Sequence, residues 1–404
     1  MSSGFLNWLD ARFPVRQTFQ RYFSQYFVPK NLNFMYCFGI LALVALFNQG
    51  ITGLWLTMFY TPTAAGAFDS IQSIMRDVSW GWLLRYLHAT GASAFFIVLY
   101  VHIFRGILYG SYQKPRELVW ILGVVLWFLS MAQAFFGYLL PFGQLSYWGA
   151  QVFTSFIGAV PVVGDLLLGL VRGSHTVGTV LLQRFFAWHV IGIPLLLLLI
   201  IFLHVVALHH VGSNNPQGID LPAKDDVAAY EQDTVPFYPF YVKKDVRAIL
   251  IFLLVFFAVV FFSPDMAGYF LEPTNLVPAN PLLTPDGIHP VWYLTPFYSM
   301  LRCIPHQGAG ILVTSAGVII LFFLPWLDRS PVRSMRYKGR LSRAALVVFV
   351  LSFVCLGVLG LIEPTGMRII LARGFTLLYF AYFLTMPVYT KYESHRSIPN
   401  RIQI

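Results

Sequence analysis

Charge is scarce in this sequence. Asp, Glu, Lys and Arg supply 11% of its 404 residues, against about 25% in a soluble domain, so too few charges are present to cover a water-exposed globule. Cysteine is scarce as well. Cys37, Cys303 and Cys355 lie apart, in or beside apolar segments, and no CxxC occurs. That excludes a disulfide scaffold and a structural zinc site, and leaves the three thiols as small apolar packing residues. A secretory signal is also missing. The first 30 residues set Arg12, Arg16, Arg21 and Lys30 among Phe, Tyr and Trp, without the apolar core a signal peptide needs. A short amphipathic surface helix is expected there instead.

Apolar sequence is what the chain has in abundance. It is 57% hydrophobic, and several runs reach the 18 or so residues that cross a hydrocarbon core of roughly 30 Å. Runs so long and so continuous predict an all-α polytopic membrane protein and exclude a β-barrel. Eight transmembrane helices are expected, at about 34–59, 80–108, 117–139, 181–209, 246–263, 308–327, 343–362 and 370–389. They divide the chain into an N-terminal amphipathic segment (1–33), a four-helix domain (34–210) and a polar loop (211–245). A C-terminal four-helix domain (246–390) and a tail (391–404) follow. Residues 140–180 and 264–306, apolar but broken by Gly and Pro, form long loops on the face away from the N-terminus and are expected to build a lid or pocket there.

The net charge of +10 invites a nucleic-acid reading, but its distribution points to a lipid membrane. Twenty of the 27 Lys and Arg residues, among them Arg21, Lys114, Lys224, Arg333 and Arg396, fall on the side of the N-terminus. By the positive-inside rule that side is cytoplasmic, and eight spans return the C-terminus to it.

Two spans carry paired histidines. His88 and His102 are fourteen residues apart, which returns the second ring to within roughly 40° of the first and about 21 Å along the axis. His189 and His204, in the fourth span, are fifteen apart, about 60° off register and roughly 22 Å along the axis. Both spans run inward from the outer face, so His88 must face His189 and His102 must face His204. A lone histidine in a span is packing or part of a proton path. Four at matched heights on co-directional helices can clamp two flat iron macrocycles, closing both axial positions of each iron. Gly39 and Gly53 in the first span, and Gly123 and Gly137 in the third, repeat the fourteen-residue interval. They leave room beside each ring, or serve ordinary helix packing. Arg85 and Arg105, each three residues outside a histidine, stand where haem propionates would emerge, or anchor the helix at the interface.

Longer motifs then point to a family. RYLHATGAS and RGILYGSY on the second span, GYLLPFGQLSYWGA after the third, HHVGSNNPQGI after the fourth, and NLVPANPLLTP and PVWY before the sixth resemble cytochrome b of the cytochrome bc complexes, in its undivided bacterial form. The similarity covers nearly all of residues 30–390. It implies the membrane subunit of a proton-translocating respiratory quinol:cytochrome c oxidoreductase, a di-haem four-helix bundle with two non-covalent b haems held by His88/His189 and His102/His204. Quinol would be oxidised at an outer pocket made by Phe135, Tyr138 and Gly149 with Pro290, Trp292, Tyr293 and Tyr298. Quinone would be reduced at an inner pocket made by His209 and Asp245 with Ser213 and Lys244 nearby. A charge favoured by the helix dipole is the plainer role for Asp245. The family also implies a Rieske iron–sulfur protein and a cytochrome c subunit as partners, in a homodimeric complex in the bacterial inner membrane. This chain has neither cluster-ligand spacing nor CxxCH to replace them.

Two departures stand out. The step from His189 to His204 is one residue longer than is usual in mitochondrial members, and a kink at Pro194 would absorb it. Val291 stands where the family motif Pro-Glu-Trp-Tyr carries the glutamate assigned to accept a quinol proton. His289, Asp286, Glu272 or a water path are the candidates to replace it, with His289 favoured by adjacency and by an ordinary pKa of about 6.5. Two rival readings are a di-haem b membrane anchor of another quinone-linked dehydrogenase and a haem-free proton-coupled transporter. The first does not need the long outer loops, and the second predicts inverted repeats that are not found.

Overall fold

The structure, a computed structural model, describes residues 2–403 except Arg21, Tyr22, Phe23, Pro161, His175 and Lys224. Arg21 and Lys224, counted in the charge bias, therefore lie outside the described residues. Among these residues eight helices are long and apolar enough to cross a membrane: α1 Phe34–Thr57, α2 Gly81–Tyr109, α3 Glu117–Leu139, α4 Thr179–Val211, α5 Phe237–Phe262, α6 Gln307–Leu327, α7 Arg340–Leu361 and α8 Gly366–Tyr392. The expected limits of α3 coincide with the observed ones. The fifth span begins earlier than expected, because the regular helix already starts at Val242 and takes Asp245 into its first turn.

α1 packs along α2, and α3 along α4. Phe96, Trp127, Tyr293, Phe297, Phe349 and Tyr379 belong to one apolar core that joins α2 and α3 to the C-terminal helices. α2 ends at Gly110, whose φ of +66° and close approach to the Arg333 carbonyl, 2.4 Å from where a Cβ would stand, leave no room for a side chain.

α4 carries a π-helical turn at Trp188–Gly192. Pro194 follows in the first turn of the next helical segment and has no N–H to return to the Val190 carbonyl, so the ladder skips there. The extra residue of the fifteen-residue step is thus taken up by a π turn beside His189, with Pro194 as its cause, and not by a simple kink.

The outer loops are more ordered than their Gly and Pro content implies. Residues 140–180 form two helices, Gln144–Gly158 and Gly164–Arg172, that pack on each other. Arg172 fastens them, its guanidinium donating to Thr154 Oγ1 at 2.7 Å and to Ser155 Oγ at 3.0 Å. The second loop is stitched onto the first. Gly143 bridges to Pro278, the Gln144 amide N–H donates to Val277 O at 3.0 Å, and the Ser146 N–H donates to Asn275 Oδ1 at 2.9 Å. The expected outer lid is present, and GQLSYWGA and NLVPAN are the strips that meet in it.

On the other face, strands β1 Phe27–Pro29 and β2 Thr234–Pro236 pair antiparallel and tie the N-terminal segment to the loop before α5. The expected amphipathic start is the helix Ser2–Asp10, with Phe5 and Trp8 exposed. The basic loop after α6 is anchored by a buried ion pair, Lys338 with Asp328. Tyr112 Oη and Gln113 Nε2 donate to the same Asp328 oxygen at 2.5 and 2.8 Å.

Candidate functional site

The outer histidine pair is set by its partners. His88 and His189 face each other with ring centroids 6.1 Å apart and planes at 81°. His88 Nδ1 lies 2.9 Å from Thr52 Oγ1, whose own proton goes to the Asn48 carbonyl at 2.6 Å. The imidazole must therefore donate, and its Nε2 keeps the lone pair. His189 Nδ1 donates to the Gln133 carbonyl at 2.8 Å, which fixes the same tautomer. Two metal–imidazole bonds of about 2 Å and half a ring on either side add up to roughly 6 Å, so the spacing fits one six-coordinate iron between the rings.

The inner pair is built differently. His102 and His204 lie within electrostatic reach of each other. Arg105 donates to His102 Nδ1 at 3.3 Å. His204 Nδ1 is buried against the Val119 carbonyl without closing a hydrogen bond of good geometry.

Each of the four glycines borders a different ring. A Cβ on Gly53 would stand 3.0 Å from His88 Cε1, on Gly39 3.2 Å from His102, on Gly123 3.4 Å from His204, and on Gly137 2.3 Å from His189. Each ring thus lies against bare backbone of the neighbouring helix, where a side chain would crowd it. Arg105 reaches inward, its guanidinium 4.7 Å from the Tyr36 ring. Arg85 is half-buried one turn before His88.

At the inner end the expected residues lie among aromatic side chains. His209 packs on Tyr26 at 4.5 Å between ring centroids, and the Tyr26 hydroxyl lies by Ser213. Asp245 sits beside Cys37 and Tyr241. Phe237 bridges the two halves, 6.2 Å from Tyr26 and 5.7 Å from Tyr241. Lys244 donates from its Nζ to the Leu32 carbonyl at 3.0 Å and lies 5.7 Å from the Tyr241 ring centroid. Tyr26, Tyr36 and Tyr241 hydroxyls, Arg105 Nε and Asp245 Oδ1 are all buried without a hydrogen-bond partner of good geometry. So many unsatisfied polar atoms in one place call for a polar ligand. Cys37, expected to be mere packing, places its thiol against the Asp245 carboxyl. HHVGSNNPQGI docks on RGILYGSY here, through Asn214 Nδ2 to Tyr109 O at 2.8 Å.

At the outer end Tyr138 Oη donates to Glu272 Oε2 at 3.2 Å, and Trp292 Nε1 donates to Ser93 Oγ at 3.0 Å. Tyr293 stacks on Phe96 at 3.8 Å. Tyr298 Oη donates to Ile288 O at 2.7 Å, which fixes the chain just before Pro290. Phe135 belongs to a neighbouring apolar cluster that reaches Leu294, and Gly149 has open space where a Cβ would be. Trp292 and Tyr293 line an apolar cavity of about 740 Å³, with Tyr100, Phe270, Phe297 and Phe353 on its other walls. His289 is partly buried, and its Nδ1 lies 3.0 Å from its neighbour's carbonyl, Pro290 O. Asp286 is exposed. Thr52, Gln133, Tyr36 and Tyr241 have no sequence signal of their own beyond lying near a glycine, a histidine or Asp245, and Tyr26 has none.

Comparison with known proteins identifies the family. The model "Cytochrome b/b6/petB" matches residues 23–212, and "Cytochrome b(C-terminal)/b6/petD" matches residues 278–380. Cytochrome b of Allochromatium vinosum is 52% identical, over 98% of both chains. That of Rhodospirillum rubrum is 44% identical, over 98% of this chain and 95% of its own. A Bradyrhizobium diazoefficiens protein named cytochrome b/c1 is 43% identical, and this chain covers 56% of it. Among solved structures, a chain of a hyperthermophilic respiratory Complex III superposes with a TM-score of 0.89 at 39% identity, covering 96% of this chain and 99% of that one. This chain belongs to the cytochrome b family, haem-binding integral membrane proteins of respiratory electron transport.

Proposed function

We propose that the two histidine pairs hold two b-type haems, His88 with His189 and His102 with His204, and that these link an outer quinol-oxidising pocket to an inner quinone-reducing one. Family membership makes the chain the cytochrome b subunit of a respiratory quinol:cytochrome c oxidoreductase. The observation that carries the finer reading is the match of each imidazole to its own glycine, at two heights of one bundle. Bound there, the haems supply one-electron transfer along the bundle, without an open position for oxygen.

The remaining work falls to the protein. Trp292 and Tyr293 present an apolar wall to the quinol ring and tail, while the Tyr138 hydroxyl is held on Glu272. The stitched outer loops keep bulk water from the site. At the inner end quinone reduction consumes two electrons and two protons. His209 and Asp245, with Ser213 and Tyr26 on the His209 side, supply titratable and hydrogen-bonding groups for that uptake. The charge bias supports an inner side that is cytoplasmic, with both termini there, in a bacterial inner membrane. The complex supplies a Rieske iron–sulfur protein and a cytochrome c subunit, a pairing supported by the name cytochrome b/c1 of the Bradyrhizobium relative, and assembles as a homodimer.

This reading is tested in the purified complex with Asp245→Asn. Quinol should still reduce the haems through the outer pocket, but their reoxidation by quinone at the inner pocket should slow about 100-fold, the scale of a lost general acid. Reoxidation at the unaltered rate would remove Asp245 from that pocket. Absence of quinol-driven haem reduction in the unaltered complex would overturn the reading as a whole.

The outer pair makes a second expectation. Thr52→Val deletes the acceptor that fixes the His88 tautomer. The outer haem should bind 10- to 100-fold more weakly, the usual cost of losing an acceptor behind a metal-ligating histidine. The inner haem, whose histidines lack this arrangement, should be unaffected, which haem titration of the variant resolves.

A further inference from the structure

We propose that Glu272 is the proton acceptor for quinol at the outer pocket, in the role that Val291 leaves vacant. The proposal rests on the quinol-oxidation reading above. Val291 is 6% exposed and sits in the apolar core with Phe96 and Tyr293, so it offers neither a base nor a place for water. Glu272, by contrast, is turned inward. Its neighbours Pro273 and Thr274 are exposed, yet Glu272 itself is 7% exposed. An unpaired glutamate is seldom buried, and among the described residues no Lys, Arg or His forms an ion pair with it. Its side-chain partner is Tyr138 Oη, at 3.2 Å.

Position completes the case. Tyr138 ends α3, and Tyr293 lies in the PVWY turn close enough to sense the Glu272 charge. Among the described residues these two tyrosines are the titratable groups that interact with the carboxyl. Burial pushes the Glu272 carboxyl up to about 7, against the opposing pull of its own backbone N–H and of Tyr138. A base poised near the working pH is the one best suited to take a proton and give it up again. His289 and Asp286 have no such contact.

The step balances as follows. Quinol loses two electrons and two protons and becomes quinone. One quinol O–H bond breaks as Tyr138 Oη takes that proton and passes its own to Glu272 Oε2, where a new O–H bond forms. The second proton leaves with the electron accepted by the partner iron–sulfur protein, and the other electron goes to the chain's own one-electron acceptor. Glu272 then releases its proton to the outer face, beside the exposed Pro273 and Thr274.

The test is the pH profile of quinol oxidation by the purified complex. The base must be ionised, so the unaltered rate should fall as pH drops through about 7. Glu272→Gln should lower the rate about 100-fold and abolish that acidic limb. Adding Val291→Glu to Glu272→Gln should restore the rate, with a limb at a new pH. A merely structural role for Glu272 would lower the rate without removing the limb, and would overturn the proposal. So would a Glu272→Gln complex that keeps both rate and limb. Should Glu272→Gln fail to assemble, as judged by its haem spectrum, redox-difference infrared spectra of the unaltered complex decide. A carboxyl band that titrates near pH 7 and shifts in Glu272→Asp is expected, and its absence would overturn the proposal. Failure of the quinol-oxidation reading looks different, since the unaltered complex would then not oxidise quinol at all.

Discussion

Replacing Gly137 by alanine is expected to remove one of the two haems and leave the other. The added Cβ would lie 2.3 Å from His189 Cε1 and within 2.9 Å of both ring nitrogens, closer than any real contact allows. A free histidine could swing aside, but this ring is held by Gln133 on one side and, in the proposed holoprotein, by iron on the other. It must give up one of them. The same substitution at the other glycines grades the effect. Gly53→Ala and Gly39→Ala, at 3.0 and 3.2 Å, should weaken haem binding, and Gly123→Ala, at 3.4 Å, should be nearly silent. Haem content per purified chain reads the series directly. An equal loss at all four positions would mean that the glycines serve helix packing and not the rings.

Asp328→Ala is expected to have the largest effect on stability. It strands the Lys338 ammonium, whose side chain is 2% exposed, and deprives Tyr112 and Gln113 of their acceptor. Removing one partner of a buried pair costs about 3–5 kcal/mol, because the surviving charge stays buried without compensation. The double variant Asp328→Leu/Lys338→Met removes both charges and should recover most of that loss. Thermal inactivation of the detergent-solubilised complex distinguishes the two. If the double variant is no better than Asp328→Ala, the hydrogen bonds from Tyr112 and Gln113 hold the loop, and the ion pair does not.

The bundle was legible because membrane insertion writes its demands along the chain. Apolar runs mark the spans, the basic loops give them direction, and direction alone decides that His88 meets His189. The glycine interval was legible for the same reason, since a haem needs backbone on one helix to yield where a ring projects from the next. Other features were hidden because they depend on contacts between distant stretches. A proline two residues past a π turn looks, in sequence, like any proline kink. Glu272 reads as one acidic residue in a proline-rich loop, and only the folded loop turns it toward Tyr138. Adjacency to PVWY favoured His289, yet the turn holds that ring against its own backbone. At the inner pocket, the aromatic residues between His209 and Asp245 come from the N-terminal segment and from the start of α5, brought together by the β1–β2 pairing.

The central claim is that each histidine pair holds one haem. Its most direct test is haem quantitation with a reduced-minus-oxidised optical spectrum on the purified chain in its complex, unaltered and as His189→Leu. Two b haems per chain are expected in the unaltered protein. In His189→Leu one should remain, with the inner pair His102/His204 intact. One haem or none in the unaltered protein, or no b-type α-band, would contradict it.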